Sequence, residues 1–109
     1  MVDDDERVFK ALADPTRRQV LYDLRDGELT AGEITARFTI SGPAISRHLR
    51  LLKSAGLVQE RRQANRTYYS LVEERLALCV GSYLLAVCPE QMTRQRRRQG
   101  PPDKTGGAP

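Results

Sequence analysis

Tryptophan is absent from this 109-residue chain, and only four Tyr and two Phe supply aromatic surface. The interior is therefore expected to be aliphatic and mostly helical. No apolar run approaches the roughly 20 residues that a membrane-spanning helix needs. The opening residues, Met1-Val2-Asp3-Asp4-Asp5-Glu6, are acidic, the opposite of a secretory signal. A cytoplasmic address is the expectation. Histidine occurs once and cysteine twice, which gives no motif for a metal or other cofactor. No nucleophile with a base, no carboxylate pair and no phosphate loop occurs at usable spacing, so the chain is not read as an enzyme.

Charge is present but unevenly placed. The net value is +4. Residues 1–36 carry nine acids and five bases, whereas residues 37–72 carry seven bases and the single acid Glu60. A basic segment of this kind is the electrostatic footprint of phosphate neutralisation, although a solvated face has the same composition. The length suits one domain, marginal in stability unless a second subunit adds burial. We divide it into a body over residues 1–92 and a basic, Gly/Pro-rich disordered tail over residues 93–109.

Helical spacing accounts for the first half of the body. Val8, Phe9, Ala11 and Leu12 form an apolar stripe near residues 4–13. Asp14-Pro15 then opens a second helix, with Asp as N-cap and Pro at N1, and Asp26-Gly27 closes it. Thr30 and Glu33 fit a capping box for a third helix, on which Ile34 and Phe38 lie four apart. A turn over Thr39-Ile40-Ser41 leads to a fourth helix over about 41–54, where Ile45, Leu49 and Leu52 recur on one face and Gly56 stops the helix. Two short helices joined this tightly form a helix-turn-helix.

Residues 57–62 and 67–71 change to strand formers around Gln63-Ala64-Asn65-Arg66, predicting a hairpin with Asn65 as the turn residue of positive φ. Ser70 and Glu73 suggest a second capping box, opening a last helix over about 72–88. That helix carries more apolar residues than one face needs, so part of it is expected to meet another subunit. The predicted fold is thus mainly α with a small β-hairpin: a winged helix-turn-helix of four helices, two strands and a last helix.

With Ile45, Leu49 and Leu52 inward, the fourth helix turns Gly42, Pro43, Ser46, Arg47 and Arg50 largely outward, and Ser41, its N-cap, and Ala44 are counted with them as DNA-binding. The small residues let its N-terminus approach DNA closely, where the helix dipole favours phosphate. Arg47 is the expected base reader, because guanidinium bonds guanine O6 and N7 together. Ser46 and His48 are candidates for a base edge or a phosphate, His48 equally for a packed position. Arg50 and Lys53 are expected to hold the DNA backbone. Arg61, Arg62 and Arg66 on the hairpin suit the minor groove or flanking phosphates, and a charged tip is also simply soluble.

Cys79 and Cys88 are nine residues apart, about 180° around one continuous helix. They read as buried small hydrophobes, with a redox or intersubunit metal role left open.

The run Phe9-Lys10-Ala11-Leu12-Ala13-Asp14-Pro15-Thr16-Arg17-Arg18, together with Ile45-Ser46-Arg47-His48-Leu49, Ala55-Gly56-Leu57-Val58 and Tyr69-Ser70-Leu71, resembles the ArsR family. The resemblance covers about residues 6–88. It implies a transcriptional repressor that binds an inverted-repeat operator in double-stranded DNA as a homodimer joined by its first and last helices, with its own gene as one candidate target. Metal-sensing members carry Cys-x-Cys where this chain has Thr30 and Gly32, or His and acidic ligands on the last helix, which has no His here. The chain therefore resembles the SdpR-like branch without recognisable metal ligands. Two alternatives remain: a repressor switched by thiol oxidation or thiophilic metal at Cys79 and Cys88, and a protein- or membrane-interaction module using the last helix.

Overall fold

The computed structural model describes residues 2–98. In chain order the elements are α1 (Val2–Leu12), α2 (Pro15–Asp23), a 3-10 turn (Leu24–Asp26), β1 (Leu29–Thr30), α3 (Ala31–Thr35), α4 (Gly42–Ser54), β2 (Val58–Gln63), β3 (Arg66–Leu71), α5 (Glu73–Val87) and α6 (Pro89–Arg98). The winged helix-turn-helix is present. It is fuller than expected by one strand and one helix.

Caps define the first helices. Asp14 accepts hydrogen bonds from the backbone N–H groups of Thr16 (2.8 Å) and Arg17 (3.1 Å), satisfying two donors that a helix start leaves open. The Thr30–Glu33 capping box forms with both bonds in place. Beyond it α3 is only five residues long. Its end relaxes through Arg37 N–H to Ile34 C=O and Phe38 N–H to Thr35 C=O. The connection to α4 therefore starts at Ala36, not at Thr39, and Phe38 packs against the core from outside the helix.

The core lies where α1, α2, α3 and α4 converge on the strand bases. Val8, Val20, Ile34, Ile45, Leu52 and Leu57 are its largest fully buried side chains. The inward stripe Ile45, Leu49 and Leu52 is buried as the spacing predicts. Gly56, at φ 79°, ends α4 in a Schellman arrangement. Its N–H donates to Lys53 C=O (2.9 Å), and Leu57 N–H donates to Leu52 C=O (3.0 Å). Leu52 and Leu57, the hydrophobic pair of that motif, are both fully buried.

The sheet has three antiparallel strands in the order β1-β3-β2. The two residues of β1 pair Leu29 with Tyr69 and Thr30 with Tyr68. So short a strand has no alternation to detect, and pairing with β3 is what makes it a strand. In the hairpin Gln63 faces Arg66 across a two-residue turn. The positive φ falls on Ala64 (56°), whereas Asn65 was expected to carry it. Positive φ at the first central residue is the glycine position of a II′-type turn, so Ala64 holds the conformation against its own Cβ.

The last segment departs most from expectation. Ser70 stays in β3 opposite Gln59, so the expected second capping box does not form, and Val72 precedes α5 without a side-chain cap. Cys88, with φ −137°, separates α5 from α6 because Pro89 cannot continue the first helix. The helix α6 crosses residue 93, where a disordered tail was expected to begin. Arg and Gln are good helix formers, a property that composition alone had counted only as solvation. Residues 99–109, the rest of the expected tail, lie outside the described residues.

Replacing Ala64 by Gly removes the Cβ penalty of the wing turn. Urea unfolding of Ala64→Gly is expected to show a gain of roughly 0.5–1 kcal/mol, net of the glycine's extra chain entropy. A loss of stability would mean that the turn is unstrained.

Candidate nucleic-acid interface

The start of α4 is built as the sequence suggested. Ser41 Oγ accepts from Ala44 N–H (3.2 Å), with Gly42 and Pro43 in the first turn. Gly42 and Ala44 are partly covered and Pro43 is open. Behind them Ser46, Arg47, Arg50 and Lys53 are exposed. On the wing Arg61, Arg62 and Arg66 are exposed. Ser46, Arg50 and Lys53 of α4 border one pocket with Glu60 and Tyr69 of the hairpin. By register Arg62 shares that hairpin face, whereas Arg61 and Arg66 lie on the opposite one.

Not all of these cations are free. Lys53 Nζ lies 3.1 Å from Glu60 Oε1, bridging α4 to β2. Glu60 also bonds to the side chain of Tyr69, its cross-strand partner. Burial pushes the Tyr69 phenol above its ordinary pKa, and the Glu60 carboxylate pushes it further. Arg61 is held more tightly. Its guanidinium meets Glu28 through both carboxylate oxygens, at 2.5 and 3.4 Å, and also contacts Gln63. It lies 4.4 Å from the Tyr68 ring centroid. Glu28 holds the Arg61 pKa above its ordinary value, so the charge is permanent but already answered. Arg61 and Lys53, both expected at phosphates or the minor groove, thus each carry a carboxylate partner. Arg47, Arg50, Arg62 and Arg66 make no ion pair among the described residues.

His48 faces backwards. Its Nδ1 lies 3.2 Å from an Arg17 guanidinium nitrogen and 3.9 Å from Asp14 Oδ2. Arginine can only donate, so Nδ1 accepts in this contact and the ring proton of the neutral form sits on Nε2. Of the two readings for His48, the structure places it at the packed position between α2 and α4. The same Arg17 donates through Nε to Ala11 C=O (2.8 Å) and through a terminal nitrogen to Lys10 C=O (3.0 Å). Arg18 donates to Leu12 C=O (2.7 Å). Two arginines thus close the carbonyl end of α1, where positive charge suits the helix dipole.

The far end of α4 is held as well. Arg75 Nε, from α5, donates to Ala55 C=O at 3.2 Å. A Cβ at Gly56 would stand 3.1 Å from that same nitrogen, so this glycine serves both the turn and the approach of Arg75.

The cysteines do not meet in one site. Cys79 is buried, and its Sγ donates to Asp5 Oδ1 at 3.2 Å. Cys88 is half-buried, beyond the end of α5. Among the described residues no group of three or more His, Cys, Asp or Glu is placed to hold a metal ion.

Glu60, Glu28, Tyr69, Asp14 and Arg17 were not among the expected site residues. The Glu60–Tyr69 pairing follows from hairpin register once the turn is two residues long. The Arg61–Glu28 pair, 33 residues apart in sequence, leaves no local signal.

Two predictions follow from these contacts. Partial burial opposes the Asp14 charge, but backbone N–H donation from Arg17 and Thr16 and the field of His48 outweigh it, so its pKa is lowered. Asp14→Ala is expected to cost about 0.5–2 kcal/mol near neutral pH in chemical unfolding. A carboxylate with a lowered folded pKa stabilises fully above its unfolded value, so the gap should close as pH falls below about 4. A gap that is constant with pH would remove the charge from the explanation. Separately, Glu60→Gln releases Lys53. Anisotropy titrations on a nonspecific duplex should then show the slope of log affinity against log salt steepen by about one per protomer.

Comparison with known proteins places this geometry. The profile described as "Bacterial regulatory protein, arsR family" matches residues 14–60, from the Asp14 cap to Glu60. Transcriptional repressor SdpR of Bacillus subtilis is 50% identical over 64 residues, covering 59% of this chain and 71% of the relative. The biofilm growth-associated repressor of Agrobacterium fabrum is 34% identical over 85 residues, covering 77% and 73%. Among solved structures, the homodimeric winged helix-turn-helix DNA-binding domain from Mycobacterium bovis superimposes with a TM-score of 0.66 at 35% identity, covering 78% of this chain and 80% of that one. The outward face of α4, the hairpin beside it and the helices behind it are those of the ArsR family of bacterial regulatory proteins, to which this chain belongs.

Proposed function

We propose that the protein is a homodimeric repressor that binds an inverted-repeat operator, with its own promoter as the first place to look. The observation that carries this reading is the set of exposed arginines without an ion pair among the described residues, Arg47 and Arg50 on α4 with Arg62 on the hairpin face turned to it. They are joined at the wing tip by Arg66, which lies on the other face of the hairpin within the field of Glu33. Arg47 occupies the outward middle of α4 and takes the base-reading role. Ser46 flanks it, while Gly42, Pro43 and Ala44 permit close approach. Arg50 takes a phosphate, and Arg62 and Arg66 follow the adjacent minor groove or its phosphates. Arg61 and Lys53 join only by exchanging a carboxylate for a phosphate.

The dimer reading rests on α1 and α5. Phe9, Leu78 and Tyr83 are 38%, 68% and 55% exposed, which is costly for large apolar side chains unless a second subunit covers them. The Phe9 and Tyr83 rings already meet edge to face at 5.5 Å, joining the two helices into one apolar surface. Among the described residues no helix is long and apolar enough to cross a membrane, which suits a cytoplasmic regulator.

Selection from random DNA, followed by titration of the enriched duplex at fixed salt, tests the reading. A two-fold sequence with half-sites about one helical turn apart is expected. Arg47→Ala should lose about 1–3 kcal/mol on that duplex and far less on a scrambled one. Equal loss on both would reassign Arg47 to the phosphate backbone. No enriched sequence at all would overturn the operator reading.

A further inference from the structure

Beside the exposed face of α4, toward its C-terminal end, α1, α2 and α4 leave a cleft of about 420 Å3 lined by Arg7, Lys10, Ala11, Arg17, Leu51 and Ser54. Leu51 and Ser54 lie within about 40° of Arg47 around the helix. Among the described residues its lining has three cations and no acid. Arg7 and Lys10 make no ion pair among the described residues. Leu51 is 51% exposed although it belongs to the otherwise buried-or-polar helix α4. We propose that this cleft is an effector site for a small amphipathic organic anion, such as a medium-chain carboxylate; its regulatory half rests on the DNA-binding reading above.

The lining chemistry selects the ligand class. A bare inorganic anion would use the cations and leave Leu51 and Ala11 wet. A neutral apolar molecule would bury those carbons but leave the charges of Arg7 and Lys10 unanswered. A carboxylate with an apolar body satisfies both, and the volume lies within the ordinary range for small-molecule sites. A dimer joined through the Phe9–Tyr83 surface would leave the Arg7 side of the cleft uncovered. Arg7 lies about 200° around α1 from Phe9, on the edge away from the apolar surface that α1 shares with α5.

The same cleft reaches the reading helix. Leu51 and Ser54 belong to α4, and Arg17 forms the wall while bonding His48 Nδ1. A carboxylate drawing on Arg17 competes with His48 for its donors, and a body seated on Leu51 fixes α4 from the side. Ligand affinity therefore differs between arrangements of α4, which is the condition for coupling to DNA.

The test uses the full chain, with octanoate as probe and sulfate and octanol as controls. In amide NMR titrations octanoate should produce saturating shifts at Lys10, Ala11, Leu51 and Ser54, with much weaker effects from either control. The double variant Arg7→Gln/Lys10→Gln, checked for an unchanged melting temperature, should weaken octanoate at least about tenfold. Saturating octanoate should change affinity for the selected duplex by about fivefold or more. Equal response to sulfate, or to octanol, overturns the amphipathic site, as do shifts confined to the Phe9–Tyr83 surface. If the double variant instead flattens the salt dependence of DNA binding, these cations hold phosphate and the effector site is overturned. The NMR titration needs no DNA, so failure of the operator reading leaves the binding site separately decided.

Discussion

Arg17 stands where three helices meet. From α2 its guanidinium reaches two carbonyls at the end of α1 and the ring nitrogen of His48 on α4. Its backbone N–H is bound by Asp14, which lies beside the same ring. Apolar contact pulls these helices together but is non-directional, so burial of Val8, Val20 and Ile45 tolerates sliding. Hydrogen bonds from one planar group do not. They fix α4 by the residue immediately next to Arg47, and the outward direction of Arg47 is set from behind the helix.

The opposite end of α4 is fixed by different chemistry. The Schellman turn at Gly56 reverses the chain into β2, and Arg75 supplies a positive charge to the carbonyl end of the helix. Arg75 belongs to α5, and Val72 N–H, just before that helix, donates to Leu57 C=O at 2.9 Å. The helix that carries the exposed apolar side chains is thereby tied to the end of the helix that carries Arg47 and Arg50. A rotation of one α5 against a second copy would be felt at Ala55, and through the rigid helix at Arg47.

The parts legible in the sequence were those governed by local rules. Asp14-Pro15, the Thr30–Glu33 box, Ser41 and Gly56 marked helix ends because each satisfies nearby backbone groups. The spacing of Ile45, Leu49 and Leu52 marked a buried face and so identified the exposed one. What escaped depended on partners far away in sequence. The strand β1 exists only against Tyr68 and Tyr69. The roles of Lys53 and Arg61 changed because Glu60 and Glu28 approach them in space. Ser70 could have capped α5 by pattern, but pairing with Gln59 kept it in the sheet, and a ladder position outweighed a local one.

These two carboxylates alter how the basic segment should be understood. A surface on which every cation were free would bind any duplex strongly, because release of condensed counterions is indifferent to sequence. Pairing Lys53 with Glu60 and Arg61 with Glu28 withholds two cations per protomer from that nonspecific attraction. Each pair can open where a phosphate arrives at the right distance, and there the carboxylate left behind costs something. Contacts that depend on register therefore gain weight relative to those that do not. Glu60 lies at the junction between α4 and the wing, so under the proposed DNA reading this balance is set where the two elements meet. The acid that interrupts the basic run would then be part of how the surface discriminates between DNA sequences.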